Sequence, residues 1–229
     1  MYLLEGNIGV GKSTFLKLLH MHCTDITVIQ EPMSNWASQS YGQSLLEDFY
    51  KDPKRWAYTI ETLAMITRVK DHLAIQARNI PLCIMERSVY SGHYCFAQND
   101  YSNGFLTDLE WEVYSRWVDF LIHKNCKMPQ GFIYLRACPE ICFERIKKRN
   151  RKGEESMTLE YVAQIGKWHE KFLIEKVGLP TQLKKVPVLI LDANYDLLIN
   201  KELLSDCIAQ VREFMTSTTK SKHSSIAAL

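Results

Sequence analysis

Gly6-Asn7-Ile8-Gly9-Val10-Gly11-Lys12-Ser13 matches the pattern G-x-x-x-x-G-K-[ST], and it stands between an apolar run, Tyr2–Leu4, and a helix-period segment, Thr14–His20. A strand before and a helix after is the context this pattern requires. The glycines let successive backbone N–H groups turn inward around phosphate oxygens, and the helix N-terminus adds its dipole. Gly6 through Thr14 are therefore expected to cradle a phosphate chain, with Lys12 reaching its terminal groups and Ser13 ligating Mg²⁺.

Working outward, four further apolar runs bounded by turns follow: Thr27–Ile29, Leu82–Met85, Phe132–Leu135 and Val188–Leu191. They alternate with long helix-period segments, which predicts a three-layer α/β fold with a parallel sheet and helices on both faces. Lys54–Ala77 carries Trp56, Ile60, Leu63, Met65 and Ile66 between charges and reads as an amphipathic helix stopped by Pro81. Asp108 is expected to cap a helix whose Trp111, Tyr114, Trp117, Val118 and Leu121 face the core. Pro139 sits where the helix after the fourth strand begins. Residues 1–215 read as one domain. From Thr216 the composition turns to Ser, Thr, Lys and Ala, and a frayed tail, 216–229, is expected.

Bulk composition narrows the partners. The 229 residues carry a formal net charge of +2, which lacks the basic footprint of a nucleic-acid binder and points to small-molecule partners. Seven cysteines without paired metal-type spacing read as reduced thiols of a cytoplasmic protein, with Cys138 and Cys142 buried on one helix face. No apolar run approaches the ~20 residues of a membrane span, and the first strand leaves no room for a targeting segment.

Glu31 follows the second strand, and Glu86-Arg87-Ser88 follows the third. Both acids should project from the carboxyl ends of parallel strands, the edge where open α/β sheets bind ligands. Phosphoryl transfer to a hydroxyl uses a carboxylate that takes the proton, a cation that gathers spreading charge and a metal that bridges the phosphates. Glu31, Arg87 and Mg²⁺ fill those roles, with Glu86 as the metal's outer partner. Arg145, Arg149 and Arg151, with lysines among them, predict a lid over about 145–158 that closes on the phosphates. A GTP switch is disfavoured, because neither N-K-x-D nor D-x-x-G is found.

Taken together, the chain from Glu5 to about Phe214 resembles the deoxynucleoside kinase family, the group of deoxycytidine, deoxyguanosine and mitochondrial-type thymidine kinases. The resemblance rests on Glu5-Gly6-Asn7-Ile8, Glu31-Pro32 with Trp36, and Tyr50 before Pro53-x-Arg55-Trp56. Glu86-Arg87-Ser88-Val89-Tyr90-Ser91, Leu135, Pro139, the three arginines and Leu191-Asp192-x-Asn194 complete it. It implies a five-stranded P-loop kinase, usually a homodimer, that moves the γ-phosphoryl of ATP or another triphosphate to the 5′-hydroxyl of a deoxynucleoside in nucleotide salvage. By the same resemblance Glu31 is the base, and Tyr50 and Glu154 hold the 3′-hydroxyl. Met33, Trp36, Phe96, Glu61 and Arg68 surround the nucleoside base. The loop Asp192–Asp196, with Asp192, Asn194 and Asp196, lies against the donor's base, mostly through backbone atoms.

Two positions depart from the family pattern. Glu61 stands where a glutamine is typical, and an ionised carboxylate can only accept. Gly92 replaces an aspartate that would pair with Arg68, so Glu61 and Arg68, seven apart on one helix face, are expected to pair with each other. A carboxylate suits the two adjacent donors of guanine, and the small Gly92 leaves space for thymine's methyl, so guanine is expected first and thymine second. Cytosine or adenine would require a protonated Glu61 or a water. The alternatives are a thymidylate-type monophosphate kinase, disfavoured by Glu86-Arg87-Ser88 in place of D-R-[YFH], and a nucleotide-binding module without catalysis.

Overall fold

In a computed structural model, which describes residues 1–31 and 44–226 with side chains through 219, five strands form one parallel sheet. They are β1 (Tyr2–Gly6), β2 (Thr27–Ile29), β3 (Cys83–Glu86), β4 (Gly131–Arg136) and β5 (Val188–Asp192), ordered β2-β3-β1-β4-β5. Leu3 sits opposite Met85 on one side and Phe132 on the other, and Ile133 sits opposite Leu189. Strand order reverses around β1, so the loop leaving β1 opens at the crevice where such sheets bind ligands.

Side-chain alternation explains why these runs are apolar throughout. Leu3, Met85, Phe132 and Tyr134 feed one core cluster, whereas Tyr2, Leu4, Ile84, Ile133 and Leu135 feed the other. A parallel sheet covered on both faces needs apolar residues at every strand position. Helix Lys12–His22 covers one face through Phe15, Leu16 and Leu19, none more than 1% exposed. A Leu4→Ala change there would cost about 2–5 kcal/mol through lost burial and the cavity left behind.

The long helix spans Pro53–Arg78, capped by Asp52, whose side chain accepts from Arg55 N–H, and closed by Asn79 in the left-handed region at φ 49°. Asn79 ends it, two residues before Pro81. Leu63 and Ile66 are exposed rather than in the core. Helix Asp108–Val118 is capped by Thr107 through a reciprocal box with Glu110, so Asp108 is not the cap; it accepts from the Tyr101 hydroxyl. Thr107 wins because its hydroxyl sits three residues before a glutamate that returns the bond. Tyr114 and Val118 are buried there, but Trp117 is exposed.

Cys142 is buried while Cys138, the residue before Pro139, is exposed at the helix start, so the two do not share a buried face. All seven cysteines are free. The last helix, Lys201–Ile226, continues past Thr216, contrary to a tail fraying from that point. Its apolar side buries Leu204, Cys207, Val211 and Met215, and the Tyr2 hydroxyl adds a bond to Met215 O at 3.0 Å and shares a 2.6 Å hydrogen bond with the Thr218 hydroxyl. No helix among the described residues is long and apolar enough to cross a membrane.

Candidate active site

At the carboxyl edge of the sheet lies a cavity of about 500 Å³. It is lined by Ile8–Phe15 of the glycine loop together with Glu31, Tyr50, Glu61, Arg68, Glu86, Arg87, Phe96, Arg145, Arg149, Arg151, Glu154 and Asp196. The fold thus brings most of the sequence-selected residues to one place. Gly6, Asn7, Gly92, Asp192 and Asn194 are not part of its lining, and Met33 and Trp36 fall outside the described residues.

The loop conformation depends on glycine at two positions for different reasons. A Cβ on Gly9 (φ 78°) would collide with Cys142 O, whereas Gly11 (φ 105°) has open space but a backbone angle that side chains disfavour. Lys12 folds over the loop, donating from Nζ to Gly6 O at 3.0 Å and Asn7 O at 2.7 Å. Burial, then the charge of Arg87, push the Lys12 ammonium down to about 7 against the pull of Glu86, Glu31 and Glu5. Asn7 ties the loop to helix Leu159–Glu170 by donating to Val162 O at 2.9 Å.

Ser13 Oγ donates to Glu86 Oε1 at 2.7 Å. Two hard oxygens side by side, next to a phosphate loop, fit Mg²⁺, which favours one or two protein oxygens with phosphate and water completing its shell. Among the described residues no group of three His, Cys, Asp or Glu side chains is placed to hold a metal.

Glu31 is clamped between two arginines. Arg68 donates to Oε1 from Nη2 at 2.9 Å and from Nε at 3.1 Å, and Arg87 Nε lies 3.2 Å from Oε2. Burial pushes the carboxyl up, but Arg68 and Arg87 outweigh it and hold Glu31 below the ordinary carboxylate range. Arg87 itself adopts φ 61°, a left-handed geometry that costs a β-carbon residue energy and persists only where neighbours fix it. The fixing is visible: its N–H donates to Leu4 O at 2.8 Å and its guanidinium lies 4.7 Å from the Phe96 ring.

The expected Glu61–Arg68 pair gives way to Arg68–Glu31, where two N–H donors meet one carboxylate oxygen. Glu61 is a weaker partner, because burial pushes its carboxyl up to about 7 despite Arg68 and Arg87. Its Oε2 accepts no hydrogen bond among the described residues. Nor is the space at Gly92 empty: a Cβ there would lie 2.8 Å from Arg68 Nη1.

In the lid segment Glu154 is gripped by Arg149 at 2.6 Å and Arg151 at 3.4 Å. Arg145 spans the site as a brace, donating to Val10 O, Ala193 O and Tyr195 O at 2.8–3.1 Å. Asp192 and Asn194 also brace: Asn194 donates to Asp192 and accepts from Cys138 N–H, each at 2.8 Å. The cavity wall after β5 is Ala193, Tyr195 and Asp196 of that loop, followed by Leu197 and Leu198. Sequence reasoning missed Leu197 and Leu198, which carry no periodic signal in a loop. It also missed Tyr161, whose ring meets Tyr50 edge-on at 6.1 Å. Glu5, buried beneath the site near Ser88 and Arg87, has its carboxyl raised mainly by burial.

Residues 3–216 match the family described as Deoxynucleoside kinase. The chain is 36% identical to Deoxycytidine kinase 2 of Gallus gallus, covering 93% of this chain and 89% of that one. Against Deoxycytidine kinase of Homo sapiens the figures are 34%, 93% and 90%. With the mitochondrial Deoxyguanosine kinase of Xenopus laevis they are 35%, 93% and 88%.

Proposed function

Since the chain belongs to the deoxynucleoside kinase family and is thereby a nucleoside-triphosphate-dependent kinase of deoxynucleosides, we propose that Glu31 takes the proton of the sugar 5′-hydroxyl as the γ-phosphoryl arrives. The observation that carries this reading is Glu31 held between Arg68 and Arg87 in the same cavity as the glycine loop. A phosphoryl transition state is loose, so an oriented, ionised carboxylate matters more than a strongly basic one. Arg87, fixed by its backbone and by Phe96, gathers charge on the transferring group. Ser13 and Glu86 would hold Mg²⁺, which would supply positive charge that neutralises phosphate oxygens.

Lys12 and the loop N–H groups take the terminal phosphates of ATP, and the anion restores the Lys12 charge that burial suppresses. Arg149 and Arg151 exchange Glu154 for phosphate as the lid closes, leaving Glu154 to the 3′-hydroxyl beside Tyr50. Asp192 and Asn194 shape the donor-base wall, and Tyr195 supplies its surface. Met33, Trp36 and Phe96 pack on the nucleoside. Glu61 faces the base edge: ionised, it suits the two donors of guanine, and neutral, it suits cytosine, the base in the names of the chicken and human relatives. Thymine ranks lower, because Arg68 occupies the space at Gly92.

The homodimer proposed here uses an apolar stripe on two neighbouring helices. Leu63 and Ile66 are exposed on Pro53–Arg78, and Leu109, Val113, Trp117 and Phe120 on the run from Asp108. Light scattering should give twice the chain mass, reduced to one by Trp117→Glu. A cytoplasmic location is proposed on the free thiols.

The test of the activity is 5′-monophosphate formation from ATP, Mg²⁺ and each of four deoxynucleosides, with thymidine monophosphate as the competing acceptor. Turnover of nucleosides is expected; turnover of the monophosphate alone would move the protein to the monophosphate-kinase reading.

A further inference from the structure

Asn7 gives the glycine loop more than its backbone. Its side chain is buried, and its two ends have separate partners. Oδ1 accepts from Ile8 N–H at 2.8 Å inside the loop, which leaves Nδ2 to donate to Val162 O at 2.9 Å, 155 residues away. Val162 lies near the start of helix Leu159–Glu170, and a carbonyl carries two lone pairs, so a helical one has room for such a guest. Gly166, one turn further on, permits the approach: a Cβ there would lie 3.2 Å from Asn7 Nδ2 and 3.9 Å from Pro139 Cγ. The same helix supplies Tyr161 to the cavity and supports two further lining residues. Tyr161 meets the Tyr50 ring edge-on, and fully buried His169 meets the Phe96 ring edge-on at 6.0 Å. On the other side of the site, Asn7 O accepts from Lys12 Nζ at 2.7 Å.

Resting on the kinase reading, and deepening it, we propose that Asn7 is a positioning residue: its amide sets the spacing between the phosphate loop and the helix behind the nucleoside wall, and so aligns the γ-phosphoryl with the sugar 5′-hydroxyl. Neither substrate needs that bond in order to bind. The loop N–H groups and Lys12 hold the triphosphate, while Glu31, Tyr50 and Phe96 hold the nucleoside, each from its own element. What the bond fixes is the distance between the two, and a misplacement of about 1 Å there costs about a hundredfold in rate. An apolar side chain of the same size would fill the space, but it would leave Ile8 N–H without this partner and give the loop no hold on the helix.

The test is the single-turnover rate of 5′-monophosphate formation at saturating ATP, Mg²⁺ and the best deoxynucleoside, set beside the Kd of each substrate measured alone. Asn7→Ala should lower the rate about 10–100-fold while each Kd changes less than about threefold. Because Asn7→Ala also frees Ile8 N–H, Gly166→Ala is the cleaner probe: it keeps the bond within the loop and brings a methyl 3.2 Å from Nδ2. It should lower the rate several-fold with a melting temperature at or above that of the wild type, since alanine replaces glycine inside a helix. The double variant should be no slower than Asn7→Ala alone, because both changes break one contact. Should Asn7→Ala fail to fold, Gly166→Ala still decides. A wild-type rate in Gly166→Ala, losses that multiply in the double variant, or a loss confined to the Kd of ATP overturns the proposal. No phosphorylation of any nucleoside by the wild type would instead overturn the kinase reading, and the proposal with it.

Discussion

Two acids line one cavity and are treated in opposite ways. Glu31, which we propose as the base, sits between Arg68 and Arg87 and is held below the ordinary carboxylate range. Glu61, which we propose faces the nucleoside base, has an orphaned oxygen, and burial drives it upward. Around Glu31 the charged side chains are partnered, Lys12 on loop carbonyls, Glu86 on Ser13 and Arg145 on the wall after β5. Unmet buried polar atoms cost about 1–3 kcal/mol each, so the protein tolerates them where a ligand or a proton will meet them. On the proposed reading, the difference separates the chemistry, which every substrate shares and which is assembled in advance, from the choice of base, which is left open.

The largest effect should come from breaking the assembled side. Arg87→Ala removes a transition-state cation and one of the two charges on Glu31, and is expected to lower kcat by about 10²–10³ for every nucleoside accepted. Steady-state kinetics on two nucleosides checks it; a loss confined to one of them would blur the division.

A smaller effect should come from a third acid, treated as Glu61 is. Asp100 is fully buried, neither of its carboxyl oxygens has a hydrogen-bond partner among the described residues, and burial pushes it well above the usual carboxyl range. The proton it holds when folded is lost from the unfolded chain above its ordinary value of 3.8, so its contribution is present at low pH and disappears as pH rises through the raised folded value. Asp100→Asn cannot titrate. Its melting temperature should therefore gain on the wild type as pH goes from about 5 to about 8, by at most about 1.4 kcal/mol of stability per pH unit. A difference that is constant with pH would contradict the buried-proton account.

How much of this was legible beforehand follows the same line. The five strands, the loop from Gly6 to Ser13 and the acids after β2 and β3 were readable, because strand runs and motif spacing are local properties of the chain. What escaped depends on partners distant in sequence. Arg68 turned to Glu31, 37 residues away, rather than to Glu61 on its own helix. Arg145 became a brace because the strand order sets β5 beside β4. Asp100 reads as an ordinary polar helix residue until packing buries it completely. Trp117, Leu63 and Ile66 followed helical periodicity yet face outward, since periodicity marks an apolar face without naming what covers it.

The division between the two sides is tested most directly by comparing Glu31→Gln and Glu61→Gln on all four deoxynucleosides at one pH. The account predicts that Glu31→Gln lowers kcat about 10²–10⁴-fold for each substrate and leaves their ranking intact, while Glu61→Gln keeps kcat and reorders the substrates toward deoxycytidine. A Glu31 variant that reorders the substrates, or a Glu61 variant that slows all of them alike, would contradict it.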